Sequence, residues 1–336
     1  MGVMEQNGKS NKMKIIYIKL VICFCIMFLS CTQETKKKQD VKKNIVKAPI
    51  FNEDSAYFFV EKQVSFGPRV ISSKAWLNCA NWLEKKLSNY GETKIQEAPI
   101  VTYDKKEHIL KNIIVSFSPE KNNRIALFAH WDSRHVADHD TINQFQPILG
   151  ANDGGSGVGV LIEIARQLNI KKPKIGVDIV LFDAEDYGQP ENSKFPIMED
   201  SWCLGSQYWS KQVQQSNYYA KYGILLDMVG GKNAKFTHEA TSYYFAKDIL
   251  KKVWSKAHSL GYGDFFVYQN TKQIIDDHYY VNTIAGIRTI DIIEYDPSTK
   301  TNFNKHWHTH GDNMNNIDKK TLKAVGQTLL EIIYNE

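Results

Sequence analysis

The feature that most constrains this chain is an apolar, β-branched run, Val177-Asp178-Ile179-Val180-Leu181-Phe182, that stops abruptly on Asp183-Ala184-Glu185-Asp186. The run lacks a regular polar alternation, so it reads as a strand buried on both faces, the kind found in sheets covered by helices. Open α/β sheets place their ligands at the C-terminal ends of their strands. Adjacent carboxylates at such an end repel each other unless a cation or a shared proton separates their roles. A solvated acidic loop is the competing interpretation, and the rest of the chain has to decide between them.

Other segments repeat the same design. Trp76, Cys79, Leu83 and Leu87 recur at helical spacing after Ser72-Ser73, which can cap the helix. Ile113 to Phe117 and Ile125 to Phe128 read as strands, and the second runs into His130-Trp131-Asp132-Ser133. Gly150-Ala151-Asn152-Asp153-Gly154-Gly155-Ser156-Gly157 leads into a helix marked by Val158, Leu161, Ala165 and Leu168. After the acidic stop, 188–201 is a long polar insertion of the length that more often serves a site than a core. A helix over 202–213, a strand at Gly223 to Leu226 ending in Asp227, a helix over 240–259, a strand at Ile287 to Ile293 and a closing helix through Leu322, Val325, Leu329 and Ile332 follow. Strands alternating with helices predict an α/β fold with a central mixed, mostly parallel sheet in a three-layer α/β/α sandwich, as one catalytic domain over 51–336.

The N-terminus is of another kind. Lys12, Lys14 and Lys19 flank an apolar core from Leu20 to Leu29, too short to span a bilayer comfortably, followed by Phe28-Leu29-Ser30-Cys31. Residues 1–30 therefore read as an export signal of the lipoprotein type, with Met13 as an alternative start and a plain cleaved signal as the alternative. Cys31 would carry the lipid and 31–50 would form a lysine-rich disordered tether on the periplasmic side of a bacterial envelope. Removing residues 1–30 takes away four lysines and one glutamate, so the formal charge falls from +5 to +2. That balance asks for no nucleic-acid partner. Cys79 and Cys203 remain and could pair, although Cys79 lies on an apolar helix face where a buried free thiol is expected.

Polar residues thus gather at several strand ends: His130, Glu185-Asp186, Asp227 and, before a helix, Asp153, with His308 in Trp307-His308-Thr309 as a further candidate. Each alone is weak, since an aspartate at a helix start is usually a cap. Repetition is what argues for a site. Histidine and carboxylates without cysteine suit a catalytic zinc. There is no Cys-x-x-Cys, no phosphate-binding loop with its lysine and no Gly-x-Ser-x-Gly elbow.

From about Phe66 to the C-terminus, these motifs in this order resemble the zinc-aminopeptidase superfamily. With Asp276-Asp277-His278 and a tryptophan directly before His308, the chain is similar within it to the animal-type glutaminyl cyclases. The resemblance implies that Asp153, Asp186 and His308 hold one Zn2+ per chain. It implies Glu185 as the proton-transferring base and acid, with Asp227 and Asp276 as a hydrogen-bonded pair that shares a proton. Trp307 and Phe303 would line the substrate pocket, and Trp202 would replace an indole that the family carries after the acid pair.

Departures are Asp186 where the animal enzymes carry glutamate, and Ile275 where they carry glutamine. Ala129 and Ile162 stand near the positions of cysteines that form a disulfide in animal homologues. The expected substrates are peptides or proteins with N-terminal glutamine, turned over by a monomer. A two-zinc aminopeptidase, with His130 and Asp227 holding the second metal, is the rival. A non-catalytic peptide-binding lipoprotein is the remote one.

Overall fold

A computed structural model of the chain describes residues 46–336; the signal expected at 1–30, the lipidated Cys31 and the tether as far as residue 45 lie outside them. Among the described residues, the chain is already packed at Val46, ahead of residue 51. The Val46 N–H donates to Asn335 Oδ1 at 3.0 Å, Ala48 is buried, and the Phe51 N–H donates to Gln327 Oε1 at 2.9 Å. The last five residues assigned to the tether are therefore held against the C-terminal helix.

Helix α1 (Glu53–Val64) is capped by Asn52, and α2 (Lys74–Ser88) by Ser73, whose hydroxyl accepts from the Trp76 N–H. Strands β1 (Glu92–Val101), β2 (Glu107–Phe117) and β3 (Arg124–His130) come next, then α3 (Gly155–Ile170) and β4 (Gly176–Phe182). The second half runs α4 (Leu204–Gln214), β5 (Gly223–Asp227), β6 (Phe236–His238), α5 (Ala240–Ser259), β7 (Phe266–Asn270), α6 (Asp277–Thr283), β8 (Thr289–Ile293) and α7 (Lys319–Tyr334).

The six-stranded sheet has the order β1-β2-β4-β3-β5-β8. Its last four strands are parallel and its first two form an antiparallel hairpin joined to β4. The small parallel pair β6–β7 and strand β1 go beyond the strands expected from hydrophobic pattern; β1 is a half-exposed edge with little apolar periodicity.

Alternation along β3 shows the three layers. Ile125, Leu127 and Ala129 enter the larger core with α1, α2, α3, α5 and α7, whereas Ala126 and Phe128 enter a second core with Trp209 and Val213 of α4 and Val281 of α6. Both faces are covered, which is why these strands read as continuous apolar runs. The parallel register aligns His130 with Phe182, and Asp227 with Ile293. Four strands thus end side by side, and the residues at and just beyond those ends face one another. At Gly157 a Cβ would stand 2.4 Å from the Leu226 carbonyl oxygen, so glycine there lets α3 begin directly against the end of β5.

Candidate active site

The turn after β4 divides its acids among three tasks. Asp183 is fully buried and accepts from the Trp76 indole N–H at 3.0 and 3.1 Å, the Lys111 N–H at 2.7 Å and the Ala184 N–H at 2.8 Å. It is a structural anchor. Ala184 then takes a left-handed φ of +53°, uncommon for a residue with a side chain, and reverses the chain so that Glu185 and Asp186 leave the strand toward the cleft. The Asp132 carboxylate fastens this turn by accepting from the N–H groups of Glu185 and Asp186 at 3.2 and 3.1 Å.

Asp153, Asp186 and His308 come together. His308 Nε2 lies 3.2 Å from Asp186 Oδ1 and 3.7 Å from Asp153 Oδ2, and all three side chains are buried. Asp153 Oδ2 and Asp186 Oδ2 have no hydrogen-bond partner among the described residues. Buried carboxylate oxygens left unpaired are costly, and a cation is the group that removes the cost. Burial, with the charges of Asp186 and Asp227 beside it, pushes the Asp153 carboxyl up to about 8. The donor set, one imidazole nitrogen and carboxylate oxygens within 4.8 Å of one another, fits zinc in a catalytic type of site.

Support for the trio is extensive. Asp312 accepts from the backbone N–H groups of Asn152 and Asp153 at 2.7 and 3.1 Å and so holds the loop that carries Asp153. His308, itself at φ +54°, has Nδ1 3.1 Å from Asp138 Oδ1, which leaves Nε2 directed at the carboxylates. Asp138 is gripped by Arg134 at 2.6 Å, and despite burial the His308 ring and that guanidinium hold its carboxyl well below the usual range. None of Asp132, Asp138 or Arg134 had been assigned a role from sequence. Their signal was present as charged residues crowded directly after a buried strand.

A second trio shares Asp153. His130 Nε2 is 2.9 Å from Asp153 Oδ1 and 3.3 Å from Asp227 Oδ1. The two Asp153 oxygens are thus divided between the halves of the site. Burial opposes a charge on His130, but Asp132, Asp153 and Asp227 outweigh it and raise the ring well above its ordinary value.

The expected acid pair sits within a larger group. Asp227 is near enough for its charge to act on Asp276 and is also engaged by His130, while Asp276, His278 and Asp291 of β8 gather within 4.8 Å. Burial and the Asp227 charge push Asp276 up to about 6, and burial with the Asp276 charge lifts Asp291 well above its ordinary range. Asp291 was passed over because it looks like an interruption in an apolar strand. A fully buried aspartate between two isoleucines was the available clue. Glu185 is raised well above its usual range, chiefly by burial, with Asp186 and Asp276 adding to the effect against His130.

Asp153, Glu185, Asp186, Asp227, Asp276 and His308 line a cleft of about 380 Å³, and so do the other three side chains expected from sequence, Trp202, Phe303 and Trp307. Trp307 stacks on His308, and the Trp202 ring lies parallel to the same imidazole at 5.8 Å. Arg134 stands over the Trp202 indole at 4.2 Å. A Cβ on Gly188 would fall 1.9 Å from that indole, so the start of the 188–201 insertion gives way to seat it. Met228, Ile274, Ile275, Tyr280 and Asp200 also line the cleft and were not anticipated. Cys79 and Cys203 are both buried and free.

Residues 112–333 match the model of peptidase family M28. The chain is 52% identical to a zinc-dependent exopeptidase from Parabacteroides distasonis, covering 86% of this chain and 100% of that one with a TM-score of 0.84. It is 51% identical to a glutaminyl cyclase of Bacteroides thetaiotaomicron solved with N-acetylhistamine, over 86% and 100% of the two chains, TM-score 0.83. A glutaminyl cyclase of Tannerella forsythia is 50% identical over 86% and 100%, TM-score 0.84. The expected superfamily and three-layer fold are thereby borne out, with glutaminyl cyclases among the half-identical neighbours. The chain belongs to peptidase family M28.

Proposed function

We propose that this protein is a zinc-dependent glutaminyl-peptide cyclotransferase that converts N-terminal glutamine of peptides or proteins to pyroglutamate and releases ammonia. The observation that carries the reading is the placement of Asp276. It stands in a group with Glu185 within 4.8 Å, lines the same cleft, and has a carboxyl raised to about 6. A hydrolase acting on a backbone peptide bond needs one proton carrier. A second buried carboxyl beside it suits a reaction whose leaving group is a side-chain amide. Half-identity to proteins described as glutaminyl cyclases supports the same choice.

In this reading Asp153, Asp186 and His308 hold one Zn2+ per chain. The bound cation supplies Lewis-acid polarisation of the γ-carbonyl and offsets the carboxylates around it. The α-amine forms a bond to the γ-carbon of its own side chain, the bond from that carbon to the amide nitrogen breaks, and one proton passes from amine to departing ammonia. Glu185 carries that proton, a task worth roughly 10²–10⁴-fold in rate. Asp276 accepts a hydrogen bond from the leaving amide, and Asp227 stays with His130 at the edge of the trio. Trp202, Phe303 and Trp307 enclose the glutamine side chain and shut out water that would compete with the amine.

A two-zinc aminopeptidase is the second reading, favoured by the His130–Asp153–Asp227 trio and the divided oxygens of Asp153. One experiment separates the two. Incubation with a peptide bearing N-terminal glutamine should release ammonia, lose that activity on chelation, and recover it with about one equivalent of zinc. Release of free amino acids with two tightly held zincs would establish the aminopeptidase instead.

We further infer export and anchoring through a lipidated Cys31 on the periplasmic side of a bacterial envelope, with the enzyme acting as a monomer. The basic flank, short apolar core and Ser30-Cys31 junction support the export and the anchor. Replacing Cys31 with alanine should move the protein from the membrane to the soluble fraction; an unchanged distribution would refute the anchor.

A further inference from the structure

We propose that Asp200 selects the residue that follows the N-terminal glutamine, favouring a lysine or arginine there and disfavouring an acid. The proposal rests on the cyclase reading and concerns the mouth of the same cleft.

No lysine or arginine lines that cleft among the described residues. Its acids fall into two sets. Asp153, Asp186, Asp227 and Asp276 are buried and Glu185 is nearly so, whereas Asp200 alone is exposed. The floor acids serve the cation and the proton, so Asp200 is the charge left for the rest of the substrate.

It is also held in place. The Tyr280 hydroxyl donates to Asp200 Oδ1 at 2.9 Å, and Gln207 Nε2 donates to the Asp200 carbonyl at 2.8 Å. Two elements, α6 and α4, therefore pin a residue of the insertion. Its second carboxylate oxygen has no protein hydrogen bond, and Asp200 forms no ion pair among the described residues. Ile274, Ile275 and Phe303 supply apolar surface on the same cleft, and Ile275 is 61% exposed. An apolar wall beside a fixed carboxylate is the surface on which a long cationic side chain lays its methylenes and ends on the charge. A glutamate at that substrate position would instead meet a like charge that no basic residue offsets.

The pair would be solvent-accessible, so a modest, salt-sensitive effect is expected. Three amidated tripeptides, Gln-Lys-Ala, Gln-Ala-Ala and Gln-Glu-Ala, are compared on the zinc-loaded wild type, Asp200→Asn and Asp200→Lys. In the wild type kcat/KM for the Lys peptide should exceed that for the Glu peptide by about tenfold, carried by KM and shrinking in 0.5 M salt. Asp200→Asn, which tolerates the left-handed backbone (φ +53°) and still accepts from Tyr280, should bring the two within about twofold. Asp200→Lys should invert the order. A ratio that survives in Asp200→Asn, or no discrimination in the wild type, overturns the proposal. If no peptide yields ammonia, the cyclase reading has failed; dissociation constants of the same peptides must then show the same order and the same loss in Asp200→Asn.

Discussion

The Cys203 thiol donates to Glu185 Oε1 at 3.3 Å, from a corner that is itself tied to the acid turn. The Cys203 N–H donates to the Glu185 carbonyl at 3.0 Å and the Leu204 N–H to the Ala184 carbonyl at 3.1 Å. Burial and the neighbouring Glu185 charge push the thiol well above its ordinary value, so it remains a donor at neutral pH. The left-handed corner at Cys203 (φ +57°) at the start of α4 thus aims a weak hydrogen bond at the proton carrier. Cys203→Ala should lower kcat about three- to tenfold with little change in KM, and Cys203→Ser should restore most of it. Equal losses in both variants would mean that the corner, and not the donor, matters.

Glu185 and Asp186 are adjacent, yet their replacement should have separable effects. Glu185→Gln should keep zinc and lose turnover by at least about 10²-fold. Asp186→Ala should lose zinc, together with the part of the melting temperature that chelation removes from the wild type. Metal analysis and thermal unfolding with and without chelator distinguish them. Loss of metal in both would show that the two acids act as equivalent ligands.

Trp76 carries the Asp183 anchor. Trp76→Phe keeps an aromatic ring stacked near Trp131 but removes the N–H that serves both carboxylate oxygens. A destabilisation of about 1–3 kcal/mol is expected in urea unfolding, with zinc content maintained. An unchanged midpoint would mean that water replaces the indole.

Glu294 follows β8 and is buried, accepting from Asn304 Nδ2 at 2.8 Å and Asn152 Nδ2 at 3.1 Å. Burial raises its carboxyl to about 7 from an ordinary value near 4.5, outweighing the two amides. The folded state therefore holds a proton more tightly than the unfolded one. Its contribution is fully present below about pH 4.5 and is lost as pH rises to about 7. Glu294→Gln, which mimics the protonated form, should gain on the wild type across that window by no more than about 3 kcal/mol. Unfolding free energies of the two proteins at pH 5, 6, 7 and 8 test this. A constant difference would mean that Glu294 does not change protonation on unfolding.

Much of the fold was legible because buried parallel strands leave an unmistakable record. Covered on both faces, β3, β4, β5 and β8 must be apolar almost throughout, so the polar residues at their ends stand out. Glycines before α3 and the helical spacing of Leu322 to Ile332 followed from backbone and periodicity alone. Strand β1 and the β6–β7 pair were not legible, since an exposed edge and a three-residue strand need no pattern.

Which residues could bind a cation and carry a proton was readable along the chain, because their types and their places after strands are local facts. How they are paired depends on contacts between distant segments. Parallel register sets His130 against Asp227, and β8 beside β5 brings Asp291 to Asp276, so each acid expected to pair gains a further partner. The acidic run after β4 shows the same division. Its acids are chemically alike in the chain, and Trp76, Cys203 and His308, each more than fifteen residues away, give Asp183, Glu185 and Asp186 three different tasks.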